Sequence, residues 1–365
     1  MPFLHFHVGD RGMVKACCVA NIPFGNINSE SKKEIWNGDE INKLRSKFLE
    51  GKSDNRCRVC LDLEASGAKS IRQETFEKFP DFSLSSIPEP IYFDIRFSNV
   101  CNFRCRTCWH GASSKWFNDA KQLGRNLRNK AVIKNIDDYE RFIDEYGNAL
   151  LNAKEIYFAG GEPLVTEEHY LLLTYLIKNG SMDLRLRYNT NCSVLKFKGF
   201  DVIELWKSFS SVEVMASVDA SEEAGEYIRK ELDWTLFIEN AIRIKKLNHV
   251  IFKISPTVSV YNVKSLPSFY KKMVSDEIIN KDHFYINLLH RPDYFNIQIL
   301  PLPVKEEISL IYTNFLMEDL PLNIKDSFKE ILEFMNARDR SSLWSKFQKE
   351  SGLLDELRSE KPIIA

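Results

Sequence analysis

An α/β fold, built as an open, partial (β/α)6 barrel with additions at both ends, is what the sequence predicts, and three observations predict it. Between residue 90 and about residue 290, short apolar runs alternate with helical patterns, the signature of βα units around a parallel sheet. The chain has 365 residues, more than the roughly 250 to 300 at which a single core stops growing, so a second unit is expected. Seven of the eight cysteines lie in short clusters, and two of those clusters precede the alternating region. The expected boundaries are a cysteine-rich N-terminal module with its linker over 1–88, the barrel over 89–300, and a helical C-terminal extension over 301–365.

In chain order, residues 1–64 carry Cys17-Cys18 and Cys57-x-x-Cys60 around Glu34-Ile-Trp-Asn37, Lys43-Leu-Arg45 and Phe48-Leu-Glu-Gly51. The stretch 80–90, rich in proline and serine, reads as the linker that follows. Strands are expected over 91–97, 155–158, 184–188, 211–217, 250–258 and 283–288. Between them run core-facing helical stripes: Tyr139, Phe142, Ile143 and Tyr146 in 136–150, and Trp234, Phe237, Ile238, Ala241 and Ile242 in 232–246. Phe328, Ile331, Leu332 and Met335 stand at i, i+3, i+4, i+7 in the tail, which is expected to pack on the barrel. No solenoid-length repeat interrupts this order.

Composition excludes several classes. The formal net charge is −1, so nothing demands a polyanionic partner. The basic stretch of Lys121, Arg125, Arg128, Lys130 and Lys134 reads as a solvated face, because no RNA-binding module accompanies it; nucleic acid is not an expected partner. His5, His7, Asp10, Arg11 and Lys15 break up the first fifteen residues, so no signal peptide can be drawn, and no run approaches the roughly 20 apolar residues of a membrane span. A soluble, cytoplasmic protein is expected. In that compartment clustered cysteines favour metal over disulfides, and the solitary Cys192 reads as a small buried hydrophobe.

Chemistry concentrates at strand ends. Cys101-Asn-Phe-Arg-Cys105-Arg-Thr-Cys108 directly follows the run Ile91-Tyr-Phe-Asp-Ile-Arg-Phe97. Three thiolates, one short of four, leave one iron of a cubane cluster open to a non-protein ligand. A zinc site completed by His110 is the other chemistry this set allows. Gly160-Gly161-Glu162-Pro163 follows Ile156-Tyr-Phe158, and its glycines remove side chains where backbone must approach a ligand closely. Ser217-Val-Asp219 follows Val212-Glu-Val-Met215, with Tyr227-Ile-Arg229 just beyond.

These three segments, in this order, resemble the radical S-adenosylmethionine (radical SAM) enzymes. The resemblance implies that Cys101, Cys105 and Cys108 hold a catalytic [4Fe-4S] cluster, whose open iron is chelated by the amino and carboxylate groups of S-adenosylmethionine. It places the methionine amino group at Gly160, Gly161, Glu162 and Pro163, polar contacts to ribose and methionine at Ser217 and Asp219, and the methionine carboxylate at Arg229. Asn189 at the third strand's end, before Thr190-Asn191, and Val258 at the fifth, with Ser259 and Asn262, are further candidate contacts. Many family members carry an aromatic residue just before the third cysteine. Here Thr107 stands there, and Phe103 or Trp109 is the candidate replacement against adenine. His290 and Tyr294, after the sixth strand, are more readily loop-packing residues than substrate contacts.

The N-terminal segment resembles the Twitch module, a half-sized relative of the SPASM domain that binds one auxiliary [4Fe-4S] cluster. Candidate ligands are Cys17, Cys18, Cys57 and Cys60. Relatives with the module ahead of the barrel usually have a further cysteine just upstream of the position of Pro2-Phe3. The cluster therefore has four ligands from this set, or three with an open iron, or a ligand lying outside the given sequence. Consecutive side chains on a strand diverge, which argues against both Cys17 and Cys18 binding; structural zinc on the same thiols is the alternative. The expected function is hydrogen abstraction from an unknown substrate, first a peptide or protein side chain, second a small metabolite or nucleoside. An electron donor such as flavodoxin or ferredoxin is the expected partner. A zinc-stabilised interaction protein and a non-catalytic two-cluster electron carrier are the rival classes.

Overall fold

The computed structural model describes residues 1–65, 70–81, 89–127 and 130–363. Most of the expected linker, 82–88, and Arg128 of the basic stretch lie outside the described residues. Two compact units divide the chain: Met1–Asn99 with Val132–Arg187 and Glu204–Val212, and Val100–Ala131 with Tyr188–Ile203 and Glu213–Ala365.

In the first unit, β1 (His5–Val8), β2 (Met13–Lys15), β3 (Gly25–Asn26), β4 (Tyr92–Ile95) and β5 (Glu155–Phe158) follow the spatial order β5-β4-β1-β2-β3. β1 and β5 both lie parallel to β4, whereas β2 and β3 extend the sheet antiparallel. The N-terminal segment thus contributes a strand to the sheet of the βα repeat, which its sequence did not announce. Alternation explains how β1 fits. Phe6 aligns with Phe93 and Ile156 in one row, and His7 aligns with Asp94 and Tyr157 in the next, on the opposite face. Phe6 packs its ring against Trp36 and against Tyr146 of the helix Tyr139–Leu151. That helix starts where the Asp138 side chain accepts the backbone N–H of Arg141.

The second unit holds the end of β6 (Arg185–Thr190), then β7 (Lys196–Phe197), β8 (Phe200–Asp201), β9 (Ser211–Ala216), β10 (Val250–Ile254), β11 (Thr257–Val258) and β12 (Asn287–Leu288). β9 lies between β10 and β6. The run expected as one strand over 250–258 is two, because Pro256 offers no N–H to a ladder. The sixth strand shrinks to β12, paired parallel with β11, plus one bridge between Ile254 and Phe284. In the helix Trp234–Lys245 the buried face is Phe237, Asn240, Ala241 and Ile244, so Ile242, expected in the core, is 45% exposed. Residues three, four and seven apart share a face, and Ile242 falls off it. The tail forms the helices Leu302–Leu316, Leu322–Asn336 and Trp344–Arg358, with Phe328, Ile331 and Met335 buried as the spacing predicts. The α/β class with parallel pairing of repeat strands is as expected. Among the described residues, no helix is long and apolar enough to cross a membrane.

Candidate functional site

The three-cysteine loop belongs to the second unit, and partners far along the chain fix its backbone. The N–H of Arg104 donates to the carbonyl of Lys230 at 3.2 Å, and that of Arg106 to Ile228 at 2.8 Å. Arg106 is fully buried. Its Nε donates to the Tyr227 carbonyl at 2.9 Å, its guanidinium lies 3.6 Å from the Tyr227 ring centroid, and it pairs with Asp355 and Glu360. A second knot surrounds the buried carboxylate of Asp119, which accepts from Arg104 at 2.6 Å and from Arg358 at 2.9 Å. Trp116 Nε1 donates to the Cys105 carbonyl at 2.7 Å. The two arginines between the cysteines are thus held by groups in or beside the helices Trp116–Gln122 and Trp344–Arg358.

That backbone pairing sets Arg229 beside Cys105. Asp219 grips Arg229 with both oxygens, Oδ1 to Nη2 at 2.9 Å and Oδ2 to Nε at 2.9 Å, while Nη1 reaches the Cys105 Sγ at 3.8 Å. Asp219 also accepts the N–H of Thr257 at 2.7 Å, and its carbonyl accepts Asn262 Nδ2 at 2.9 Å. The fork of Arg229 is therefore engaged with a carboxylate of the chain itself, and its remaining nitrogen faces a thiol. Burial pushes the Cys105 thiol up, against the pull of Arg229; burial and then Cys105 push Cys108 up to about 12. The N–H of Phe103 donates to the Cys101 sulfur at 3.4 Å, while the Phe103 ring is buried and Trp109 is 57% exposed.

Of the Asn189-Thr190-Asn191 segment, Asn191 is the residue that meets the loop: its Nδ2 donates to Asn102 Oδ1 at 2.9 Å, and Asn102 donates to Ser193 at 2.8 Å. Ser217 donates its N–H to the Thr190 carbonyl, and Val258 is buried in β11.

The glycine segment lies in the first unit. Gly160 has φ +117°, and a Cβ there would stand 3.0 Å from the Ser98 carbonyl oxygen, so only glycine fits. Gly161 donates to that oxygen at 3.2 Å. The buried Glu162 accepts the N–H of Leu164 at 3.0 Å, capping the short turn that begins at Pro163.

Also in the first unit, Cys17, Cys57 and Cys60 line one cavity of about 240 Å³ with Met1, Phe48, Phe76, Arg56 and Arg72 among its walls. Cys18 does not line it; burial pushes its thiol up, then Asp94 pushes it up and Arg96 pulls it down, with Cys60 a smaller upward push. Burial, then Cys18, pushes the Cys17 thiol up to about 12. On the same sheet, His7 Nδ1 stands 2.8 Å from Asp94, which Arg96 and His7 hold well below the usual carboxylate range despite its burial. This polar row escaped sequence reading, because the signal lay in strand register.

All eight cysteines are free thiols. Among the described residues, no three His, Cys, Asp or Glu side chains converge on a single metal ion. Both thiol sets nevertheless suit a polynuclear cluster: one shares a largely apolar cavity, and the other carries an N–H donor and a guanidinium toward its sulfurs.

Residues 95–266 match the family described as "Radical SAM superfamily", and residues 1–61 match the SPASM family, described as "Iron-sulfur cluster-binding domain". No curated protein matches the chain. A solved structure described as native anSMEcpe with bound AdoMet is 19% identical, with a TM-score of 0.42, covering 62% of this chain and 62% of that one. The Streptococcus suis SuiB structure bound to S-adenosylmethionine is 14% identical, with a TM-score of 0.42, covering 80% of this chain and 61% of that one. The chain spans less than two thirds of the length of either.

Proposed function

Since the chain belongs to the radical SAM superfamily, with a [4Fe-4S] cluster and S-adenosylmethionine as its cofactors and a SPASM-type iron–sulfur domain at residues 1–61, we propose that it is an enzyme that abstracts hydrogen from a peptide or protein side chain. When bound and reduced by one electron, the cluster and nucleotide supply a 5′-deoxyadenosyl radical by cleavage of the sulfonium C5′–S bond. Cys101, Cys105 and Cys108 are the cluster ligands. Arg229, held by Asp219, places positive charge beside Cys105 and stabilises its thiolate form. Gly160 opens backbone space where the methionine amino group is expected, with Glu162, Ser217, Asn189 and Val258 as the other nucleotide contacts. Phe103 serves from within the buried loop packing rather than from an exposed face.

The single observation that carries this reading is the anchored three-thiol loop with Arg229 turned toward Cys105. Cys17, Cys57 and Cys60 are the ligands proposed for the auxiliary cluster, as an electron relay, because they share a cavity that Cys18 does not line. A peptide substrate is favoured by the family likeness of SPASM-bearing enzymes. Eight cysteines kept as free thiols suit a reducing, cytoplasmic setting with a flavodoxin or ferredoxin as donor.

The test is anaerobic reconstitution with iron and sulfide, then dithionite and S-adenosylmethionine, with chromatography for 5′-deoxyadenosine. Wild type should form it and Cys105→Ala should not. Continued formation by that variant would overturn the ligand assignment. Deuterium passing from a deuterated peptide into 5′-deoxyadenosine would identify the substrate class, and a Cys57→Ala variant turning over that peptide at the wild-type rate would remove the relay.

A further inference from the structure

We infer that the outer face of the cluster loop is the docking site for the electron donor, a small acidic protein carrying flavin or an iron–sulfur centre; this rests on the function proposed above. Behind Cys108 the second unit has a cavity of about 490 Å³, lined among others by Cys108, Trp109, Arg291 and Tyr294. Cys101 and Cys105 do not line it, so the cavity borders one of the three proposed ligand residues only. A donor seated there adjoins one proposed ligand residue.

Three features give this face the character of a transient protein interface. Trp109, beside Cys108, is 57% exposed, an unusual state for a large indole in a well-packed chain. Tryptophan and arginine are the residues that most often carry binding energy at interfaces. The local charge is unbalanced in the right sense. Arg125 is paired with Glu350, and Arg106 with Asp355 and Glu360, so neither is available. Arg291 and Lys346 are exposed and have no acidic partner among the described residues; Lys346 lies over the Tyr294 ring at 4.8 Å. Asp293 is the further acid close by, beside Arg291 in sequence. Two unneutralised cations around an exposed aromatic suit an acidic donor. Small, charge-steered contacts are the usual form of redox encounters, which must form and dissociate quickly.

The step is one electron: the donor is oxidised by one electron and the cluster reduced by one, with no bond made or broken. The reconstituted protein is mixed anaerobically with photoreduced acidic flavodoxin, and bleaching of cluster absorbance gives a second-order rate constant. Arg291→Glu with Lys346→Glu should lower that constant tenfold or more at low ionic strength and abolish the fall with added salt that wild type shows. Dithionite-driven 5′-deoxyadenosine formation should stay unchanged in the same variant, which separates docking from catalysis. A rate constant within twofold of wild type would overturn the docking site, whether electrons then enter through the N-terminal domain or the cavity takes a peptide. Failure of flavodoxin to reduce a wild-type cluster that dithionite reduces would also overturn it. Absence of dithionite-driven cleavage in wild type would instead defeat the functional reading.

Discussion

The two thiol sites are built by opposite means. Around Cys101, Cys105 and Cys108 the scaffold is ionic: Arg106 with Asp355 and Glu360, Arg104 and Arg358 on Asp119, Arg229 on Asp219. Around Cys17, Cys57 and Cys60 it is mostly apolar, with Met1, Phe48 and Phe76 walling the cavity. An ionic scaffold orients groups sharply but tolerates the loss of no partner, because the remaining charge stays buried. An apolar cavity accepts a bulky group with less directional demand. The first construction suits a reacting centre whose geometry must be held, and the second suits a group that only has to be sheltered.

The harshest way to break the contrast is to remove one thiol from each set. Cys108→Ala should eliminate 5′-deoxyadenosine formation below detection, while Cys57→Ala should lose iron yet still cleave S-adenosylmethionine with dithionite, as chromatography and iron analysis would show. Equal loss of cleavage in both would mean the sites are not functionally distinct. Next comes Arg106→Met, which strands the buried Asp355 without its cation and leaves Glu360 with Lys230 alone, and should destabilise the second unit by about 3 kcal/mol, read from denaturant unfolding. Arg106→Lys should recover part of that, since it keeps charge but not the bond from Nε to the Tyr227 carbonyl. A smaller effect sharpens the second site: Cys17→Ser should lower iron content, and Cys18→Ser should not, because Cys18 lies outside the cavity.

Much of this was legible in the chain itself. The spacing of Cys101, Cys105 and Cys108, the glycines at 160–161 and the strand at 155–158 are local patterns, and local patterns survive in a one-dimensional reading. What anchors them was not legible. Arg106 meets Asp355 across 249 positions, and no periodicity links an arginine in a loop to a carboxylate on the last helix. The register of β1 against β4, which puts His7 beside Asp94, likewise depends on pairing between distant strands. Asn191, rather than Asn189, reaches Asn102 because β6 ends at Thr190, and the chain leaving the strand carries Asn191 to the loop.

The smallest expected effect concerns an ionic element of the N-terminal site. Asp54 accepts from the N–H and Nε of Arg56 through Oδ1, at 2.9 and 2.8 Å, and from Arg56 Nη2 and Lys47 through Oδ2, at 3.0 and 2.8 Å. Its carbonyl accepts the N–H of Cys57 at 2.9 Å, so it shapes the turn that presents that thiol. Arg56, foremost, holds the Asp54 carboxyl well below the usual range. A depressed folded value means stability that is present above the unfolded carboxylate pKa of roughly 4 and is lost as pH falls from there toward the folded value. Asp54→Asn keeps the capping oxygen but removes the charge, and Glu40 remains as a weaker partner for Arg56 at 3.4 Å. The cost should therefore be about 3 kcal/mol, the low end for a buried pair losing one member. The gap in denaturant midpoint between wild type and Asp54→Asn should be wide at pH 7 and narrower at pH 3. A gap independent of pH would mean that Asp54 acts through shape alone, and that the N-terminal thiols owe nothing to charge.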